Sequence, residues 1–164
     1  MSESRRRHAS IGAAIAAIAL LLVAAAPVAA DAPVFQVDLP AGLACAGFDL
    51  RIEGYGSGQQ VTRELPGGRV IGAGTGNVLV FTNLSTGATL STRANGAVSI
   101  TTTDADGASA MALTGHNVVI LFPADGGPST TLYTGGVWIR VAPDGVWSVQ
   151  RQSGAGLDIC GALL

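Results

Sequence analysis

His116 is the sole histidine of the chain after residue 8. A serine or threonine nucleophile would need it as general base, with an aspartate to orient the ring. No Gly-x-Ser-x-Gly elbow singles out a serine to pair with it. His116 is therefore the one candidate catalytic residue, set against a plain role capping a turn. A pair of carboxylates for glycoside hydrolysis is the other enzymatic route, because such pairs are spaced in the fold rather than along the chain. Most of the acids, however, fall in turns or on polar strand faces.

Trp138 and Trp147 are the candidate binding residues. They flank the Pro143 turn, and an exposed aromatic pair can stack on a sugar ring or a partner surface. Strand alternation puts Val137, Ile139 and Val141 on one face, with Trp138 and Arg140 on the other. The same alternation groups Trp147 with Val149 and Arg151, so the two rings are expected near each other across a hairpin. Packing against a second layer is the competing role.

Other motifs resolve into turns. The clusters Gly54-Tyr55-Gly56-Ser57-Gly58 and Gly72-Ala73-Gly74-Thr75-Gly76 are rich enough in glycine for phosphate loops, but neither opens a helix whose amides could face an anion. Asp104-Ala105-Asp106-Gly107 begins like a calcium loop. The next ligand position falls on Ala108 and the closing acid on Gly115, so a turn is expected instead. No metal site and no cofactor is expected. Asn83-Leu84-Ser85 matches a glycosylation acceptor, discounted because the alanine-rich leader has a bacterial cast.

Cys45 and Cys160 are the only cysteines. In an exported protein they are most simply one disulfide; two free thiols or a metal pair are the alternatives, and a metal would need more ligands than His116 can supplement.

The elements that must position these residues are strands. From His116 to Arg151 the sequence is punctuated as HNVVILFP, ADGG, STTLY, TGG, VWIRV, APDG and VWSVQR, which predicts four strands cut by three glycine turns. Upstream, VFQVDL predicts an edge strand and CAGFDLRIEG a second, with Phe48, Leu50 and Ile52 on one face. Gln59–Leu65 predicts a third, with Val61 and Leu65 inward. RVIG, NVLVFTN and ASAMALT follow, NVLVFTN reading as a central strand buried on both faces. Asn95-Gly96 suits a type I′ turn and predicts a hairpin between Ala88–Ala94 and Ala97–Thr103. About a dozen strands result, with short connections that favour a meander, in a sandwich or a barrel.

Targeting is read from residues 1–30. Arg5, Arg6 and Arg7 precede an apolar run from Ile11 to Ala26, then Pro27 and a small-residue site, which predicts cleavage before Asp31 and a secreted, extracellular domain over 31–164. The run of 16 residues is short for a membrane span of about 20. Three of nine basic residues and one of eleven acids lie before Asp31, leaving six arginines, no lysine and ten acids, a net charge of −4. That balance argues against nucleic acid or an anionic membrane surface as partner.

DLPAGLAC, GNVLVFTNLSTGATL, TGHNVVILFPAD, GPSTTLYTG and LDIC together resemble a group of uncharacterised secreted all-β proteins of actinobacteria. The resemblance spans most of residues 38–160 and implies a secreted β domain with a single disulfide, but brings no activity and no site residue. The sequence thus predicts an all-β antiparallel sandwich or barrel, secreted and non-enzymatic, binding an unknown extracellular partner, surface polymer or small ligand. An extracellular hydrolase is the alternative. A barrel carrying an apolar ligand is a third reading, in which Ala108, Ala110 and Ala112 would leave room along one face.

Overall fold

Leu50, Ile52 and Gly54 are buried while Arg51, Glu53 and Tyr55 between them are not, the alternation of a strand with one face in a core. That strand belongs to a computed structural model that describes residues 31–93 and 97–164. Ten strands make up the domain: β1 (Phe35–Leu39), β2 (Leu50–Tyr55), β3 (Gln60–Leu65), β4 (Arg69–Gly74), β5 (Val78–Asn83), β6 (Thr89–Arg93), β7 (Ala97–Thr103), β8 (Ser109–Leu121), β9 (Ser129–Val141) and β10 (Trp147–Asp158). A single helical turn, α1 (Ile159–Ala162), follows.

The strands form two antiparallel sheets in a sandwich-like arrangement, with no closed barrel. One has the order β1-β2-β5-β6, the other β10-β9-β8-β7-β4-β3. Of the nine connections between successive strands, six join hydrogen-bonded neighbours, so the meander expectation holds for most of the chain. The other three carry the chain from one sheet to the other.

The main core lies between the four-stranded sheet and the far halves of β8 and β9. Leu50, Ile52 and Phe81 meet Leu132, Ile159 and Leu163, with Val118 and Ile120 packed alongside. Each fully buried side chain of this size is worth about 1.5–3 kcal/mol. Cys45 and Cys160 form a disulfide at the edge of this core, with Cα atoms 5.6 Å apart across a sequence separation of 115. Two polar side chains of the main core are partnered: Thr130 Oγ1 donates to the Ala44 carbonyl at 3.0 Å, and Asn83 Nδ2 donates to the Leu163 carbonyl at 3.1 Å. Asn83 Oδ1 accepts from the Ser85 and Thr86 amides, and the residue is buried. Its amide nitrogen therefore has a structural role in the glycosylation-like triplet.

On the outer side of the four-stranded sheet, Arg51 forks onto Asp38 of β1, with bonds of 2.8 and 2.7 Å. The hydrogen bonding from Arg51 holds the Asp38 carboxyl below the usual aspartate range. Phe35 lies in register with Gly54, and its ring occupies the space a side chain there would need.

The six-stranded sheet is sharply folded along a row of glycines. Gly115, Gly135 and Gly154 are in register across β8, β9 and β10, with φ of 99°, 120° and 94°. Such values are strained for any residue with a Cβ. At Gly135 a Cβ would collide with the Ser153 carbonyl oxygen, and at Gly154 with that of Thr134. Thirteen residues of straight strand would hold the ends of β8 about 43 Å apart. Instead, Trp147, in line with Val141 and Ser109 at the start of β8, donates its amide to Asp125 Oδ1 at 2.7 Å, just past the end of β8. The other oxygen of Asp125 accepts from the Phe122 amide at 3.0 Å. This carboxylate latches the folded sheet. Inside the fold, Val119, Val137 and Ile139 form a second buried cluster.

Several sequence expectations change accordingly. The TGG stretch is not a turn: STTLY and VWIRV form one strand, bent but unbroken at Gly135, and ASAMALT likewise runs through Gly115 into HNVVIL. This merging reduces a dozen predicted strands to ten. A glycine pair signals a change of direction, but only pairing shows whether the ladder continues through it. The predicted hairpin across Asn95-Gly96 is also corrected. β6 pairs with β5, whereas β7 pairs with β4 and β8, so the chain changes sheets here; the turn itself lies outside the described residues. Cys45 precedes its strand instead of opening it, since β2 starts at Leu50. Val61 is 72% exposed, not inward, because β3 is an edge strand whose outer face nothing covers. β5 is central but only Phe81 and Asn83 are fully buried along it. The signal-peptide expectation for residues 1–30 lies outside the described residues.

Candidate ligand groove on the folded sheet

Folding the sheet gives it an inner and an outer face, and alternation assigns each side chain to one of them. Met111 and Leu113 of β8, Val137 and Ile139 of β9, and Ser99 and Thr101 of β7 all point inward, since cross-strand partners share a face. The second buried cluster fills only part of this space. Beside it lies a cavity of about 550 Å³ lined by Thr101, Met111, Leu113, Phe122, Ile139 and Trp147 among others. Trp147, 37% exposed, contributes to its wall while remaining open to solvent.

A second cleft of about 400 Å³ adjoins the first, with Ser99 and Leu113 lining both. Its character is different. Gln60, Asn77 and Asn117 supply amides, and Gly72, Gly74 and Ala97 leave the floor bare. A Cβ at Gly72 would lie 2.7 Å from Ser99 Oγ, so glycine keeps the strands and their polar groups close. Asn77 Oδ1 is used internally, accepting from the Gly58 amide at 2.7 Å. Asn117 Nδ2, in contrast, is enclosed and has no hydrogen-bond partner. Leaving a buried donor unpaired in this way costs about 1–3 kcal/mol.

The two clefts together make one groove, apolar at one end and amide-lined at the other. Asp125 is the one charged residue among the lining residues described, and both its oxygens already hold backbone amides. The groove thus offers apolar surface and neutral hydrogen-bonding groups.

Trp138 and Trp147 are not brought together. Trp147 is in register with Val141 on the inner face, and Trp138 stands on the outer face with Arg140. A bulge between Val149 and Arg151 shifts the register, so Arg151 pairs with Trp138 instead of sharing a face with Trp147. The Arg151 guanidinium carbon lies 3.7 Å from the Trp138 ring centroid. The indole is laid back over Gly136, where a Cβ would come within 2.7 Å of it.

His116 lies on the side of β8 that also carries Val118 and Ile120, which pack against the main core, and it does not line the groove. Its Nδ1 is enclosed without a hydrogen-bond partner, so no aspartate orients the ring through that atom. The alanine face meant for an apolar ligand is likewise not the cavity wall. Ala110 and Ala112 face outward with Arg140 and Trp138, and the cavity is lined from the opposite side of β8.

Sequence reasoning did not find Gln60, Ser99, Met111, Leu113 or Asn117. Their alternation within each strand was readable, but their convergence depends on the strand order and on the glycine fold. No protein family, curated protein sequence or solved structure matches the chain.

Proposed function

We propose that this chain is a secreted, non-enzymatic binding module that takes a small, uncharged, amphipathic ligand in the groove of the folded sheet. The observation that carries this reading is the continuity of an apolar cavity with a neutral amide-lined cleft through Ser99 and Leu113. Apolar lining with a few placed polar groups is the usual character of a small-molecule site. The apolar body of the ligand lies against Met111, Ile139 and Trp147, and its polar head lies in the cleft lined by Gln60, Asn77 and Asn117. Secretion rests on the leader in the sequence and agrees with a disulfide, which persists in oxidising compartments. No helix among the described residues is long and apolar enough to cross a membrane.

Titration with a neutral alkyl glycoside below its micelle concentration, followed by Trp147 emission, tests the reading. Saturable binding is expected, weakened at least about tenfold in Thr101→Phe, which fills the apolar end. Absence of saturation, or equal binding by a folded Thr101→Phe, would remove the groove as the site. The hydrolase alternative gains support only from turnover that His116→Ala abolishes with the fold intact.

A further inference from the structure

The outer face of the six-stranded sheet gathers most of the positive charge of a domain that is acidic overall. Six arginines stand among residues 31–164, and Arg63, Arg69, Arg140 and Arg151 all project from this one face. Arg63 and Arg151 end a single cross-strand row that passes through Ile100 and Trp138. Arg69 and Arg140 stand in the neighbouring row. Five strand spacings put Arg63 and Arg151 about 24 Å apart, and three put Arg69 and Arg140 about 14 Å apart. The surface between them is apolar and open, with Val98 and Ile100 at 39% and 38% exposure.

We infer that this face docks an extended anionic polymer bearing repeated phosphate groups. Charge complementarity selects the occupant. A second copy docking face to face would set arginines against arginines, and a bilayer would require apolar side chains that protrude rather than lie level with a sheet. An extended chain instead spans both arginine pairs, its backbone resting on the aliphatic strip. The stacking of Arg151 on Trp138 holds one guanidinium in place. Asp104 contacts Arg140 at 3.4 Å with both side chains half-exposed, a pair that a polyanion can displace. Because the net charge of the domain opposes a polyanion, attraction depends on this local concentration of arginine.

Binding of soluble long-chain polyphosphate, measured from 50 to 200 mM salt with poly-L-glutamate as the carboxylate comparison, tests the assignment. With four arginine contacts and a slope of about −0.7 per contact, affinity for polyphosphate falls roughly 50-fold over that range. In Arg63→Gln/Arg69→Gln/Arg151→Gln the salt dependence shrinks to roughly threefold and low-salt affinity drops with it. Arg93→Gln, on the other sheet, leaves binding unchanged. The inference is overturned by no binding of polyphosphate at 50 mM salt, by poly-L-glutamate binding as tightly as polyphosphate, by equal binding of the folded triple variant, by self-association through this face, or by capture on phosphatidylglycerol vesicles without binding to soluble polyphosphate.

Discussion

Replacing Gly135 with alanine tests whether the folded sheet depends on its glycine row. At φ 120° an alanine is strained by about 1–3 kcal/mol. Its Cβ would also collide with the carbonyl oxygen of Ser153, a backbone atom that no rotamer change can move. Forcing β9 and β10 apart there adds a further ~1–3 kcal/mol, the usual range for overpacking. Gly145 provides the control. It too has positive φ, 89°, but an added Cβ meets nothing within 4 Å. Gly145→Ala therefore carries backbone strain alone, about 1–2 kcal/mol. Urea denaturation of both variants should place Gly135→Ala about 2 kcal/mol or more below Gly145→Ala. In a thermal melt the gap is roughly 6–10 °C for a domain of this size. Equal destabilisation of the two variants would refute the argument that strand approach at the row, rather than local conformation, forbids a side chain.

Three further perturbations probe other parts of the fold. Reducing the Cys45–Cys160 disulfide should lower stability by about 4–5 kcal/mol in the chain-entropy view, read from melts with and without reductant. Asp125→Ala removes an acceptor from two backbone amides and should cost about 1–3 kcal/mol, with Trp147 emission shifting red as the latch opens. Since Arg51 depresses the Asp38 pKa, the contribution of this pair is present at neutral pH and lost as pH falls through the folded-state value. The stability gap between the native chain and Asp38→Asn should therefore be widest near neutrality and close in acid.

Much of the architecture was legible in local pattern. Leu50 and Ile52 alternate with Arg51 and Glu53, and the structure buries them accordingly. The cysteine pair was readable from two residues alone. What could not be read was partnership between distant strands. Thr89–Arg93 and Ala97–Thr103 have the alternation of a hairpin on either side of Asn95-Gly96, yet β5 competes successfully for the first and β4 for the second. Gly135 and Gly154 have the composition of turns because positive φ is all that sequence conveys; their register with Gly115 makes them a fold line instead. The groove was hidden for the same reason. Gln60 and Asn117 are far apart in sequence, and the sheet brings them to one cleft through β4, β7 and β8. The arginine face was obscured by an acidic net charge, which records number and not placement.

The closure of the main core by Ile159 and Leu163 sets an order of events during folding. Both side chains are fully buried, and Asn83 Nδ2 gains its acceptor only when the Leu163 carbonyl arrives. Local hairpins can pair β1 with β2 and β5 with β6, but the sandwich is not sealed until Ile159 and Leu163 dock. Contacts that span 115 residues are slow to form, and the sheet between them stays exposed while it waits. Until Ile159 and Leu163 dock, the apolar face of the four-stranded sheet stands open to water, and their arrival turns separate hairpins into a closed sandwich.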